Sequence, residues 1–275
     1  VVADVPLNVT LEGEDADEHQ LPAYDGFMAL AGISLTLSLV TNYASTGKLR
    51  KRGNFEGRLQ VKTLALKPGS VDVPFLIHAA MNSPIITGGI TVTTGIVTNF
   101  IYDLLKRTIR KNIGIEHDPE TPLLRRLESD KQGDLEALAS AAEPSLRQAH
   151  TVINNGAHQI IINGGTNHIS TFDPATKDYI NLSIEDDQVI EKDVSVAAFN
   201  ANSGVGRIYD ADYGRTIPIY LADENFERAR SVLGWGLNEY SKRTGKKISL
   251  TYRRTLAWDG TPKRYVVLDA EIPND

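Results

Sequence analysis

Five carboxylates and one imidazole crowd into the segment Glu12-Gly-Glu-Asp-Ala-Asp-Glu-His19, and Asp25 follows shortly after. Oxygen-rich loops of this kind suit hard divalent cations, so Asp15, Asp17, His19 and Asp25 are the candidate ligands of a metal-dependent enzyme. The spacing is not that of an EF-hand, which needs a central Gly and a distal Glu. The competing reading is structural, and we prefer it. Asp25 caps the helix that follows, the acidic residues complement its N-terminus, and His19 fixes the turn. On that reading the chain holds no metal and no cofactor.

The remaining histidines, His78, His117, His150, His158 and His168, form no His-x-x-x-His pair and stand beside no nucleophile motif. A Gly-x-Ser-x-Gly elbow and a phosphate-binding Gly-x-x-x-x-Gly-Lys-[Ser/Thr] loop are both missing. Gly204-Val-Gly206 precedes a strand rather than a helix, the wrong setting for a dinucleotide loop. With no cysteine there is no thiol nucleophile, thiolate metal site or disulfide. No catalytic residue is assigned, and whether the chain is an enzyme stays open at this level.

Binding is better represented. The 30 residues from Val73 to Tyr102 contain no Asp, Glu, Lys or Arg in a chain that is 23% charged. A helix over residues 83–102 would be long enough for a hydrocarbon core. Its threonines are costly in lipid, whereas Gly88, Gly89 and Gly95 suit close helix–helix contact. Lys106, Arg107, Arg110 and Lys111 follow, placed either for an anionic lipid surface or for an amphipathic extension of the helix. Burial, self-association and membrane contact are the three fates of this run. The preferred function is a non-catalytic binding or assembly component whose partner is a second copy or another protein. The expected location is the cytoplasm, with membrane association as a variant.

Nucleic acid is a second binding class. Lys48, Arg50, Lys51 and Arg52 form a basic patch, and Phe199, Arg207, Tyr209, Arg253, Arg254 and Lys263 could add a basic-aromatic face further on. A net charge of −6 argues against a surface that tracks phosphates throughout. The segment from Val196 to Ile208, with Phe199-Asn200 and then Gly204-Val-Gly-Arg-Ile208, resembles the opening strand pair of cold-shock and other OB-type barrels. Val205 and Arg207 stand where that family presents stacking aromatics, so the platform itself is not reproduced.

Over a longer stretch, Gly13-Glu-Asp-Ala-Asp-Glu-His19, Ala23-Tyr-Asp-Gly26, Gly32-Ile33, Thr46-Gly47, Lys67-Pro-Gly-Ser70 and Tyr102-Asp-Leu-Leu-Lys106 resemble a family of uncharacterised bacterial proteins. The resemblance implies a bacterial source and two parts that belong together, and it implies no activity.

These residues must be positioned by an α+β fold. At 275 residues and 41% hydrophobic content the chain is globular and can bury a substantial core. Alternation predicts a strand over residues 5–11. Apolar spacing predicts a helix over 24–44 with Phe27, Leu30, Ile33, Leu37 and Val40 as its stripe, buried on more than one side. A Pro-Gly turn joins strands near 58–66 and 71–77. Three short helices are expected over 121–131, 134–142 and 144–153, then strands at 159–162 and 179–182. We place a boundary near residue 185, giving an N-terminal α+β domain (1–185) and a small barrel-like β domain with one helix (186–275). In the second, strands are expected at 194–199, 206–209, 216–221, 248–256 and 264–272, and a helix over 224–243 capped by Asp223.

Overall fold

The computed structural model describes residues 2–50, 60–64, 71–80, 93–222, 226–256, 260 and 262–273. The fold is α+β, and the chain forms two compact units: Val1–Asp130 with Leu138–Asn181, and Lys131–Ala137 with Leu182–Asp275.

Alternation builds the centre of the first unit. Along β1 (Val2–Glu12), Ala3, Val5, Leu7, Val9 and Leu11 point one way and are each no more than 3% exposed, while Asp4 and Pro6 face out. This strand is the middle of an antiparallel sheet ordered β2-β3-β1-β4-β5, with β2 (Gln60–Thr63), β3 (Val71–Ala80), β4 (Gln159–Gly164) and β5 (Asn167–Phe172). Val9 lies opposite Val73 on one side and Ile162 on the other. The expected pairing of β2 with β3 is present, and its Lys67-Pro-Gly-Ser turn lies outside the described residues.

Helices cover the sheet. Helix α1 (Ala23–Thr46) packs against β3, and α2 (Thr94–Asn112) packs against β1, β5 and α1. Gly47 ends α1 in the left-handed conformation at φ 69°. A Cβ on Gly32 would sit 2.3 Å from the Ser145 carbonyl oxygen, so glycine is what lets α1 approach α3 (Pro122–Ala149). Thr36 Oγ1 and Ser145 Oγ then share a hydrogen bond of 2.9 Å across that contact.

Three expectations are corrected here. Of the helix expected over 83–102, residues 83–92 lie outside the described residues; α2 starts at Thr94, where the Thr93 hydroxyl accepts from the Ile96 N–H, and it runs on through the basic residues to Asn112. Of the three short helices, the first does end near 131, where Lys131 leaves the helical region inside α3 (φ −140°, ψ 36°), but the second and third are one, continuous through Pro144. Residues 179–182 were expected as a strand, yet α4 (Pro174–Asn181) forms. Its cause is a reciprocal cap: the Thr176 N–H donates to Asp173 Oδ1 and the Asp173 N–H to Thr176 Oγ1, both at 2.8 Å. That local bonding outweighs the β preference of Tyr179 and Ile180.

The second unit is a closed barrel. Its strands are β6 (Ile184–Asn200), β7 (Val205–Asp210), β8 (Arg215–Leu221), β9 (Ile248–Leu256) and β10 (Pro262–Glu271), with α5 (Phe226–Ser241) between β8 and β9. The ring runs β10-β8-β7-β6-β9, with β8 and β10 parallel and the other neighbours antiparallel. Val196, Ile208, Ile217, Leu233, Leu250 and Val267 fill its interior at 0% exposure. Closure removes the free strand edges that would otherwise invite aggregation. Asp223, expected to cap α5, lies outside the described residues.

Candidate functional site

Polar chemistry concentrates first on α2. Asp103 is 1% exposed, and five hydrogen bonds from four donor groups converge on its carboxylate. His117 Nε2 donates to Oδ1 at 2.7 Å, the Glu120 N–H reaches both oxygens at 3.2 and 3.0 Å, and the Thr121 N–H and hydroxyl reach Oδ2 at 2.6 and 2.7 Å. Thr121 is itself the N-cap of α3, so Asp103 anchors the start of that helix. Burial alone would raise the pKa of Asp103; the hydrogen bonds from His117, Thr121 and Glu120 outweigh it and hold the carboxyl below its ordinary value.

Asp103, His117 and Glu120 also offer three ligand atoms within 4.8 Å of one another. Lys106 Nζ already lies 2.7 and 2.8 Å from the two Glu120 oxygens, and the lone pairs of Asp103 are engaged by donors. A dication would have to displace an ammonium and break the anchor of α3, so the residues fit a structural clamp better than a metal centre. The next turn of α2 follows the same rule: Arg107 donates to Glu128 at 2.9 Å, and Arg110 Nε donates to the Ile169 carbonyl at 3.1 Å.

The barrel holds a second polar group. Lys192 Nζ lies 2.6 Å from Asp210 and 2.7 Å from Asp212, and the Tyr265 hydroxyl donates to Asp210 at 2.7 Å. Tyr252 stacks on Tyr265 with ring centroids 4.1 Å apart. Burial, then the Asp210 carboxylate, pushes the Tyr265 phenol far above its usual range, so it stays a neutral donor. One ammonium thus serves two carboxylates, the buried Asp210 and the exposed Asp212.

The residues singled out from sequence fall as follows. Asp15 and Asp17 belong to an exposed 3-10 turn (Glu14–Glu18), where Asp17 accepts from the Gly13 N–H at 2.7 Å, and His19 ends the turn at φ 62°. Asp25 is in the first turn of α1, whose N-cap is Pro22, so it does not cap the helix itself. These four do not form a converging ligand set; among the described residues Asp103, His117 and Glu120 do. Gly88, Gly89, Lys51 and Arg52 lie outside the described residues. Gly95 is exposed in the first turn of α2, and a Cβ there would meet nothing nearer than Thr93 Oγ1 at 4.0 Å, so no helix packs on it within the described fold. Lys106 and Arg107 lie on the helix that continues past the uncharged run and are 7% and 5% exposed and paired with Glu120 and Glu128, so they are not placed for a lipid surface; Lys111 is half-buried. Lys48 is exposed and Arg50 half-buried.

On the barrel, Phe199 packs against the core, Arg207 donates to Glu136 at 3.1 Å and to the Thr216 carbonyl at 2.7 Å, and Arg254 is held by Asp186. Lys263 points to the Leu182 carbonyl at 3.3 Å. Tyr209 and Arg253 are exposed. The expected basic-aromatic face is therefore not assembled from these side chains.

Large apolar side chains are also open to solvent along α1. Tyr24 and Phe27 are 75% and 73% exposed, and Leu35 is 37% exposed. With exposed Ala31 they recur at helical spacing and form one stripe along α1. Phe27 was assigned to the buried stripe, and its exposure is a correction: Ile33, Leu37 and Val40 do face the core, at no more than 2% exposed, but Phe27 lies on the opposite side. Apolar residues off the main stripe implied burial on more than one side, which holds for Leu39 at 2% exposed but not for Leu35. By length and composition α1 could cross a membrane, a test that core helices also pass, and its inner face is buried.

A family model described as "Domain of unknown function (DUF7946)" matches residues 7–181, and one described as "Family of unknown function (DUF7947)" matches residues 188–271. No curated protein matches the chain. A solved structure of a mutant of the ferredoxin protease FusC in complex with Arabidopsis ferredoxin is 12% identical; the match covers 90% of this chain and 35% of that one, at a TM-score of 0.22. Likeness at that level carries no argument.

Proposed function

We propose, for a chain that belongs to the DUF7946 domain family, that it is a non-catalytic binding and assembly component whose contact element is the outer stripe of α1. The observation that carries this reading is the exposure of Tyr24 and Phe27 at 75% and 73% on an ordered helix. Large aromatics displayed at helical spacing are typical of helix-mediated recognition. The stripe is also self-complementary. Two copies of α1 running antiparallel set Phe27 over Ala31 and Tyr24 over Leu35 in both directions, which is the isologous contact of a two-fold dimer.

Charge disfavours lipid as the partner. Glu14, Asp15, Asp17 and Glu18 immediately precede α1 and Asp25 lies in its first turn, so an anionic leaflet would repel the end of the helix that carries the aromatics. Four side chains fill only part of the ~800 Å² per partner of a standard interface, so self-association is concentration-dependent rather than permanent. Light scattering coupled to size-exclusion chromatography over a dilution series tests this. The wild type shifts from dimer to monomer on dilution and Phe27→Glu is monomeric throughout; a wild type monomeric at every concentration, or a variant that dimerises equally well, overturns the reading.

A second reading, nucleic-acid binding by the barrel, is favoured by one observation. Counting β6 as the first strand, the ring order is 1-2-3-5-4-1 with the third and fifth strands parallel and a helix between the third and fourth, the order of OB-type barrels. Fold alone assigns no ligand, and Arg207 and Arg254 are already neutralised, so this reading stands second.

A further inference from the structure

The turn between α5 and β9 reads Lys242-Arg-Thr-Gly-Lys-Lys247, four cations in six residues of a chain whose net charge is −6. Every residue from 241 to 247 is exposed. None of the four cationic side chains makes an ion pair or hydrogen bond with a described residue, whereas Lys106, Arg107, Lys192, Arg207, Arg228, Arg230 and Arg254 are all paired with carboxylates. The backbone is held in place. The Lys242 and Arg243 N–H groups donate to the Asn238 and Tyr240 carbonyls, the Thr244 hydroxyl donates to Glu239 Oε2 at 2.9 Å, and the Lys246 N–H donates to the Thr244 hydroxyl. Concentrated, uncompensated positive charge on a fixed turn favours a polyanion by releasing its counterions.

Aromatic rings flank the turn. Tyr240, two residues before Lys242, is 46% exposed, and Tyr209 on β7 is 43% exposed. Tyr209 lies opposite Ser195 of β6, while on the other side of β6 Ile248, which directly follows Lys247, lies opposite Val194. Val194, Ile208 and Ile248 point into the barrel, so alternation turns Ser195 and Tyr209 outward. Lys247 and Tyr209 are thus separated by two strand spacings, roughly 10 Å. Carboxylates bound the patch: Glu239 on α5, exposed Asp193 and, beyond it, Glu191, which accepts from Ser249 at 3.0 Å. A bound phosphate backbone would therefore run from the turn toward Tyr209 and away from the lower half of β6.

We infer that the α5–β9 turn, with Tyr209 and Tyr240 beside it, is a binding surface for single-stranded nucleic acid, its cations on phosphates and its rings under bases. The inference rests on the second reading, to which it gives a site and a ligand class, and is independent of α1. Exposed rings select a single strand because a duplex hides its base faces. The turn from 242 to 247 carries no bulky apolar residue to enter a lipid interface, which places a membrane second.

The test is fluorescence anisotropy of a labelled oligothymidylate of about 16 nucleotides with the full chain, across a salt series. Binding weakens with salt, at about −0.7 in log–log slope for each phosphate neutralised. The combined variant Lys242→Gln, Arg243→Gln, Lys246→Gln, Lys247→Gln loses roughly 3 units of that slope and at least tenfold in affinity at about 50 mM salt. If that variant fails to fold by circular dichroism, Lys246→Gln with Lys247→Gln serves in its place and must lose about half as much slope. Tyr209→Ala weakens binding roughly tenfold without changing the slope. Four results overturn the inference: no binding at low salt, an unchanged slope in the charge variant, equal binding of a duplex with no effect of Tyr209→Ala, or binding to phosphatidylserine vesicles without binding to the oligonucleotide.

Discussion

Two helices of the first unit invert what their compositions suggest. α2 carries Asp103, Lys106 and Arg107 and buries all three to within 7% of full exclusion, while α1, with no charge beyond Asp25, leaves two aromatic rings almost wholly in water. The difference lies in partners. Each charged group of α2 meets a group of opposite sign or a set of donors, supplied by His117, Glu120, Thr121 and Glu128. The outer stripe of α1 stays open, from Leu35 at 37% exposed to Tyr24 at 75%. A charge can be buried when it is compensated, and an apolar side chain stays out when the core on its other face is already filled.

Removing the compensation is the hardest way to break this comparison. Asp103→Ala leaves the His117 imidazole and the N–H groups of Glu120 and Thr121 without their acceptor at the start of α3. Breaking a buried charged hub costs about 3–5 kcal/mol. Urea unfolding should show a loss of that size with an unchanged m-value, and a loss below about 1 kcal/mol would mean that the clamp does not hold α3.

A second contrast sets buried charge against buried neutrality. His150, at the end of α3, is fully buried, stacks on Phe172 with centroids 4.3 Å apart, donates from Nδ1 to the Leu146 carbonyl and accepts at Nε2 from the Thr176 hydroxyl. Burial lowers its pKa to about 4. The folded value lies below the unfolded one, so stability is complete above the unfolded value near 6.5 and falls as pH drops toward 4, because only the unfolded chain takes up the proton there. The full effect is on the order of 3 kcal/mol. Asp103 also has a depressed pKa, but its contribution is lost only as pH falls through the ordinary aspartate value of about 3.9 and below. Stability measured against pH should therefore drop in two separate windows; His150→Gln should flatten the upper one and leave the lower one intact. A single drop confined below pH 4 would show that His150 is not a neutral core group.

Much of this architecture was legible in the residues. The period-two run in β1, the 3.6-residue pattern of α1 and the short β-rich runs of the barrel marked elements that the structure contains. The buried charges of α2 were not legible, because their partners lie 14 to 21 residues away in loop and helix starts that share no pattern with α2. α4 was lost to the β propensity of Tyr179 and Ile180, although the Asp173–Thr176 pair was visible as a cap. On α1, two apolar stripes were present and nothing in one chain says which of them the sheet takes. The cations from 242 to 247 were visible too, but extending the helix to 243 hid that they form one turn.

The smallest expected effect bears most directly on α1. Phe27 is 73% exposed, so Phe27→Ser removes little apolar area that the monomer hides, and surface changes of this kind stay within about 0.5 kcal/mol of stability. Ile33→Ser, six residues along on the same helix but 2% exposed, buries an unpaired hydroxyl and vacates core volume, at about 3 kcal/mol or more. Thermal unfolding of the two variants side by side separates the faces: a near-native midpoint for Phe27→Ser beside a large fall for Ile33→Ser is expected. If Phe27→Ser also lowers the midpoint by many degrees in dilute monomer, the outer stripe of α1 is covered by its own chain, and the contrast with α2 dissolves.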